Sequence, residues 1–107
     1  MSATQQLGSA SGTMAEKKGQ VVSVAKNGDL VTDILAADLD DAPRDEGITI
    51  HCDGHATQGL YDSLEGQPDM TLIAFINDDG AVQISITQGD ASGFLGIKAG
   101  AAVNVNW

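Results

Sequence analysis

Short apolar runs broken by Gly, Asn and Asp dominate the pattern along this chain. From residue 19 onward, β-rich stretches of five or six residues recur at short intervals, and no stretch sustains a 3.6-residue period. Gln20 to Ala25 is β-rich, Asn27-Gly28 is a strong short hairpin signal, and Leu30 to Leu35 forms the return strand. A two-residue turn sets Lys26 opposite Asp29, Val24 opposite Val31 and Val22 opposite Asp33. Val21, Ala25, Leu30 and Ile34 then share one face, and the other face is also partly apolar. Ile48 to Cys52 alternates as a strand, Asp53-Gly54 turns the chain, and His55 to Tyr61 pairs back. A second long hairpin runs from Leu72–Ile76 through Asn77-Asp78-Asp79-Gly80 to Ala81–Thr87. Its Val82, Ile84 and Ile86 face inward, and Ala81, Gln83, Ser85 and Thr87 face outward. Asp90 caps a short helical turn over Ala91–Leu95, Gly96 ends it, and Ala102 to Val105 is the final strand.

Two segments depart from this pattern. Residues 1–18 are small, polar and rich in Gly and Ser, which predicts a disordered lead-in ahead of a single domain over 19–107. Ala36 to Glu46 is an acidic connection whose Pro43 bars a central strand. Asp62 to Pro68 reads as a loop. About six short strands with frequent turns predict an all-β fold, a small antiparallel β-barrel with one short helical turn. The hairpins around Asn27-Gly28 and Asn77–Gly80 resemble one another, a weak internal pseudo-symmetry.

Composition narrows the function. The chain has 107 residues, with 15 acidic against 5 basic side chains and a formal net charge of −10. Nucleic acid draws its affinity from Lys and Arg against phosphates, so this surface repels it, and an anionic membrane surface is disfavoured for the same reason. A single cysteine, Cys52, forbids an internal disulfide. No apolar run reaches the length of a membrane span and the N-terminus has no secretory core, so the expected location is cytoplasmic.

The chemistry-bearing motifs are sparse. His51-Cys52-Asp53-Gly54-His55 contains zinc-type ligands, but strand alternation points His51 and Cys52 to opposite faces; only His51 with His55 across the turn remains as a pair. The acidic connection lacks the Gly and Glu positions of a calcium loop. No phosphate loop is present, and no serine is placed beside a histidine and an orienting acid. No cofactor and no stand-alone catalysis follow from these residues.

Asn27-Gly28-Asp29-Leu30-Val31-Thr32-Asp33-Ile34, Leu60-Tyr61-Asp62, Ile76-Asn77-Asp78-Asp79-Gly80 and Leu95-Gly96-Ile97-Lys98-Ala99-Gly100 together resemble the C-terminal domain of the S-adenosylmethionine hydroxide adenosyltransferase, chlorinase and fluorinase family. The resemblance spans about Gly19 to Val105 and is distributed along the chain. It implies a barrel that holds an adenosyl group against the larger N-terminal domain of a neighbouring subunit. A chain of this length has no room for that N-terminal domain, so no enzyme activity is expected of it alone. The implied ligand-binding residues are Asn27, Asp29 and Val31 in the first hairpin, Asn77, Asp78 and Asp79 at the second corner, and Gln88 just past the second hairpin's return strand. Three departures stand out. Asn27 replaces the family's stacking Phe, Asp29 puts an acceptor-only carboxylate where an Asn is usual, and Asp78 replaces a Ser. The resulting expectation is a non-catalytic assembly or interaction module, with a homo-oligomer or a separate N-terminal-like chain as partner. The alternatives are a weak adenosyl or nucleoside binder and the C-terminal half of a split hydrolase.

Overall fold

The computed structural model describes residues 15–45 and 47–107. Seven strands follow in order: β1 (Glu16–Val24), β2 (Leu30–Leu35), β3 (Thr49–Cys52), β4 (His55–Gln58), β5 (Leu72–Ile76), β6 (Ala81–Ile86) and β7 (Ala102–Asn106). A 3₁₀ turn spans Ala36–Leu39, and one helix, α1, covers Ala91–Leu95. The strands form one antiparallel sheet in the order β4-β3-β7-β1-β2-β6-β5. It curls into a nearly closed barrel, as the turn-rich strand pattern predicts.

β1 is the shared stave. Its first half pairs with β7, from Glu16 opposite Asn106 to Gln20 opposite Ala102, and its second half pairs with β2. The strand therefore begins at Glu16, ahead of the start expected at Gly19. Pairing with the C-terminal strand extends it, a long-range partner that local composition does not reveal. The rest of the expected lead-in, residues 1–14, lies outside the described residues. The seam between β4 and β5 is closed by side chain and loop rather than by a full ladder. Thr57 Oγ1 donates to Leu72 O at 3.0 Å, and Tyr61 bridges to β5 through Ala74 O at 3.0 Å and Ile76 N at 2.9 Å.

Val21, Leu30, Ile34, Ile48, Ile50, Val82, Ile84, Val103 and Val105 fill the interior, each almost wholly buried. Alternation assigned Val82, Ile84 and Ile86 inward correctly, but Ala81, Ser85 and Thr87, expected outward, are buried too. The loop after Tyr61 covers them in part: Thr87 Oγ1 donates to Pro68 O, and Thr71 N donates to Thr87 Oγ1 at 2.9 Å. The acidic connection is likewise anchored, since Leu39 at the end of its 3₁₀ turn is fully buried.

Ile50 and Cys52 point inward and His51 outward, as alternation requires. Burial pushes the Cys52 thiol up to about 11 from its ordinary 9.0, with Asp53 adding a smaller repulsion. The folded state holds this proton more tightly than the unfolded chain does. The associated stability is therefore complete below about pH 9 and is lost as pH rises toward 11. Urea midpoints measured across that range should fall for the wild type and stay flatter for Cys52→Ala.

Candidate functional site

Both long hairpins close with the same device. Ala25 N donates to Asp29 O at 2.8 Å and Gly28 N to Ala25 O at 2.9 Å; Asn77 N donates to Ala81 O at 2.9 Å and Gly80 N to Asn77 O at 2.9 Å. Each is a three-residue loop ending in a left-handed glycine, with φ of 92° at Gly28 and 81° at Gly80. This corrects the two-residue turn expected for the first hairpin. Val24 pairs with Leu30 rather than Val31, and a bulge follows between Val21 and Ser23. The extra residue is stabilised locally, because Asn27 Oδ1 accepts from Asp29 N at 3.1 Å. The pseudo-symmetry legible in the sequence is therefore a real repetition of turn geometry.

The two corners are joined by one side-chain relay. Gln83, on β6, donates from Nε2 to Asp29 Oδ2 at 2.8 Å and accepts at Oε1 from Asn77 Nδ2 at 3.0 Å. Asn77 Oδ1 meanwhile accepts from Asp79 N and Ala81 N, both at 3.0 Å. Asn77 thus spends its polar atoms building the turn and holding Gln83.

Two open depressions lie on this face. The larger, about 560 Å³, is lined by Asn27, Ser85, Ile86, Gln88, Gly89 and Asp90. The smaller, about 300 Å³, is lined by Phe75, Ile76, Asn77, Asp78, Gln83 and Asp62. Leu64 borders both. Of the residues implied by the resemblance, Asn27 and Gln88 border the larger depression and Asn77 and Asp78 the smaller. Asp29, Val31 and Asp79 line neither.

α1 positions one side of the larger depression. Asp90 caps the helix by accepting from Gly93 N at 2.9 Å, and Gly96, at φ 69°, ends it. Ser92 N donates to Gly28 O at 2.9 Å, which docks the helix on the first corner. Phe94 and Met70 stand largely in solvent, and both flank Gly89. Sequence reasoning missed Gln83, Leu64, Ser85, Asp90 and Phe94 as site residues. Gln83 carried a usable signal: it is a long amide on the outward register of β6, between the two Gly-closed corners.

Neither depression is lined by Lys or Arg. Arg44 reaches Asp62 at 3.7 Å, but both side chains are exposed and the pair contributes little. Among the described residues no group of three or more His, Cys, Asp or Glu side chains is placed to share a metal ion. No helix among them is long and apolar enough to cross a membrane.

In this antiparallel barrel the two Gly-closed corners stand at opposite ends of the β2–β6 pair, and the Asp29–Gln83–Asn77 relay runs between them. The model of the SAM hydroxide adenosyltransferase C-terminal domain matches residues 19–104, and the chain belongs to that family. The fold is similar to that of an uncharacterized conserved protein from Thermotoga maritima, with a TM-score of 0.71 and 19% identity over 82% of this chain and 35% of that one. A conserved hypothetical protein from Thermus thermophilus is similar at a TM-score of 0.67 and 19% identity, over 82% of this chain and 34% of that one. The chain thus spans only about a third of the length of these two structures. No curated protein matches it.

Proposed function

We propose that this domain is a non-catalytic recognition and assembly module, whose corner face is completed by a protein surface of the family's N-terminal type supplied by another subunit. The observation that carries this reading is the shape of that face. Both depressions are open, they lie side by side across Leu64, and an exposed Phe94 and Met70 stand beside the larger one. Exposed aromatic and thioether groups beside a polar concavity are what a protein partner buries. The matched residues are those of the C-terminal domain, and none of the side chains lining the face forms a nucleophile–base pair.

A second reading is favoured by Phe94 alone. The first corner has Asn27 where the family has a stacking Phe, and α1 sets the Phe94 ring beside Gly89, at the rim of the same depression. An adenosyl or nucleoside ligand would find its aromatic face there.

Co-sedimentation with a family N-terminal domain from the same genome tests the assembly. The wild type is expected to bind, and Phe94→Glu, an exposed substitution, to lose binding by about tenfold or more. Self-association without hetero-association would move the proposal to a homo-oligomer; a strict monomer in every mixture would end it. Adenosine titration in the same samples reads the second possibility. Release of adenosine from S-adenosylmethionine by the isolated chain would overturn the non-catalytic assignment.

A further inference from the structure

We infer that Gly89 is a positioning residue: by carrying no side chain it lets Phe94 and Met70 lie together as a preset clasp for an apolar side chain of the partner protein. The inference rests on the protein-partner reading proposed above and names the group that prepares the contact. Gly89 has a φ outside the left-handed region, so its own conformation does not call for a glycine. The crowding around it comes from side chains. A Cβ built there would lie 2.9 Å from Ile86 Cγ2, 3.1 Å from Phe94 Cε2 and 3.4 Å from Met70 Sδ. Ile86 is buried in the core cluster and branched at Cβ, so it has little freedom to withdraw. Phe94 and Met70 are 63% and 56% exposed, so they are the groups an added methyl would push aside.

The backbone holds the thioether in place at a cost. Among the described residues other than glycine, Asp53, Met70 and Gln88 have left-handed φ, and the last two, both at 58°, adjoin this spot. Met70 N donates to Thr87 O at 2.7 Å, Thr71 N to the Thr87 hydroxyl at 2.9 Å, and Thr87 N returns to Thr71 O at 3.0 Å. The β5–β6 pairing thus runs on past its strands and fixes Met70 in a conformation that long side chains seldom adopt. That strain is kept without burying the side chain, which points to a contact made outside the barrel. A thioether beside a ring adapts to varied apolar surfaces, and both groups are enriched where proteins meet. The occupant follows from the size of the relatives. The chain covers 35% and 34% of the two similar solved structures, so in each the fold is joined to a larger body of protein. A second copy of this chain is a poorer fit, since each copy carries a formal net charge of −10.

Nuclear Overhauser spectra of the isotope-labelled full chain test the pose without a partner. The wild type is expected to show contacts between the Met70 methyl and the Phe94 ring protons. Gly89→Ala should lose them while the Ile84 and Val103 methyl signals keep their positions. Co-sedimentation with a family N-terminal domain from the same genome then reads the clasp. Gly89→Ala should bind about tenfold more weakly than the wild type, and Met70→Ala, at an exposed site, should weaken binding too. A wild type without the Met70–Phe94 contacts, or a Gly89→Ala variant that keeps them, would overturn the inference whatever the partner does. Displaced core methyls in Gly89→Ala would also do so, by marking the glycine as structural. Undiminished binding by Gly89→Ala or Met70→Ala would remove the clasp from the interface. A wild type that shows the contacts and binds no N-terminal domain would sink the proposed function and the clasp's occupant, while leaving Gly89 as the residue that positions the pair.

Discussion

Gly28→Ala is expected to lower stability by about 2–5 kcal/mol and the melting temperature by on the order of 10–20 °C. Two costs combine. The residue sits at φ 92°, where an L side chain is disfavoured by about 1–2 kcal/mol. A Cβ built there would also lie 1.9 Å from Asp90 Oδ1 and 2.9 Å from Asp90 Cα. The carboxylate tip could swing away at the expense of its cap on Gly93 N, but the Cα is backbone and moves only with α1. The twin turn supplies an internal control. Gly80 has nearly the same φ of 81°, yet nothing lies within 4 Å of its would-be Cβ, so Gly80→Ala should show the conformational cost alone, about 1–2 kcal/mol. Thermal unfolding of both variants separates the terms. Equal losses would mean that the first corner and the helix are not in close contact.

The next largest effect concerns the strands beneath the site. Thr32→Val is nearly isosteric and should still cost about 3 kcal/mol, because it leaves two buried backbone groups short of a partner. Thr32 Oγ1 donates to Val82 O at 2.7 Å and accepts from Ile34 N at 3.2 Å. The β2–β6 ladder is irregular between Val31 and Leu35, and this hydroxyl supplies the hydrogen bonding the ladder omits. The loss should appear as a lowered urea midpoint with an unchanged slope. Amide exchange at Ile34 should quicken as well. A Thr32→Val variant as stable as the wild type would show that water or backbone movement replaces the hydroxyl at no cost. The same contact matters to the face above it, since β2 leads directly from Asp29 and β6 carries Gln83.

Much of this architecture was legible residue by residue. The Asp90 cap, the Ala91–Leu95 helix and its Gly96 terminator were all predicted, because capping chemistry is contained within a few neighbouring residues. Both Gly-closed corners were visible for the same reason. The register of the first hairpin was not. Asn27-Gly28 fits both a two-residue turn and a three-residue turn with a glycine bulge, and the docking of Gly28 on Ser92 accompanies the second. The start of β1 was placed late because Glu16 to Lys18 is polar and gains its strand only by pairing with Asn104 to Asn106, far along the chain. The outward side of β6 was read as solvent-facing because alternation reports which residues share a face and says nothing of what covers it.

The candidate site divides along the same line. Asn27, Asn77 and Asp78 stand on the two corners, Gln88 follows β6, and each borders a depression. Gln83, Leu64 and Phe94 come from a strand, a loop and a helix that local pattern does not bring together. Sequence by itself determined the strand alternation, the turn and cap residues and the acidity, all of which are set by interactions within a few residues or by composition. Only the tertiary structure decided that Gln83 links the two corners from opposite ends of the β2–β6 pair, and that one oxygen of Asp29 is buried without a partner among the described residues. Those features depend on contacts spanning about half the chain, such as Asp29 with Gln83 fifty-four residues away, and such contacts exist only once the barrel has closed.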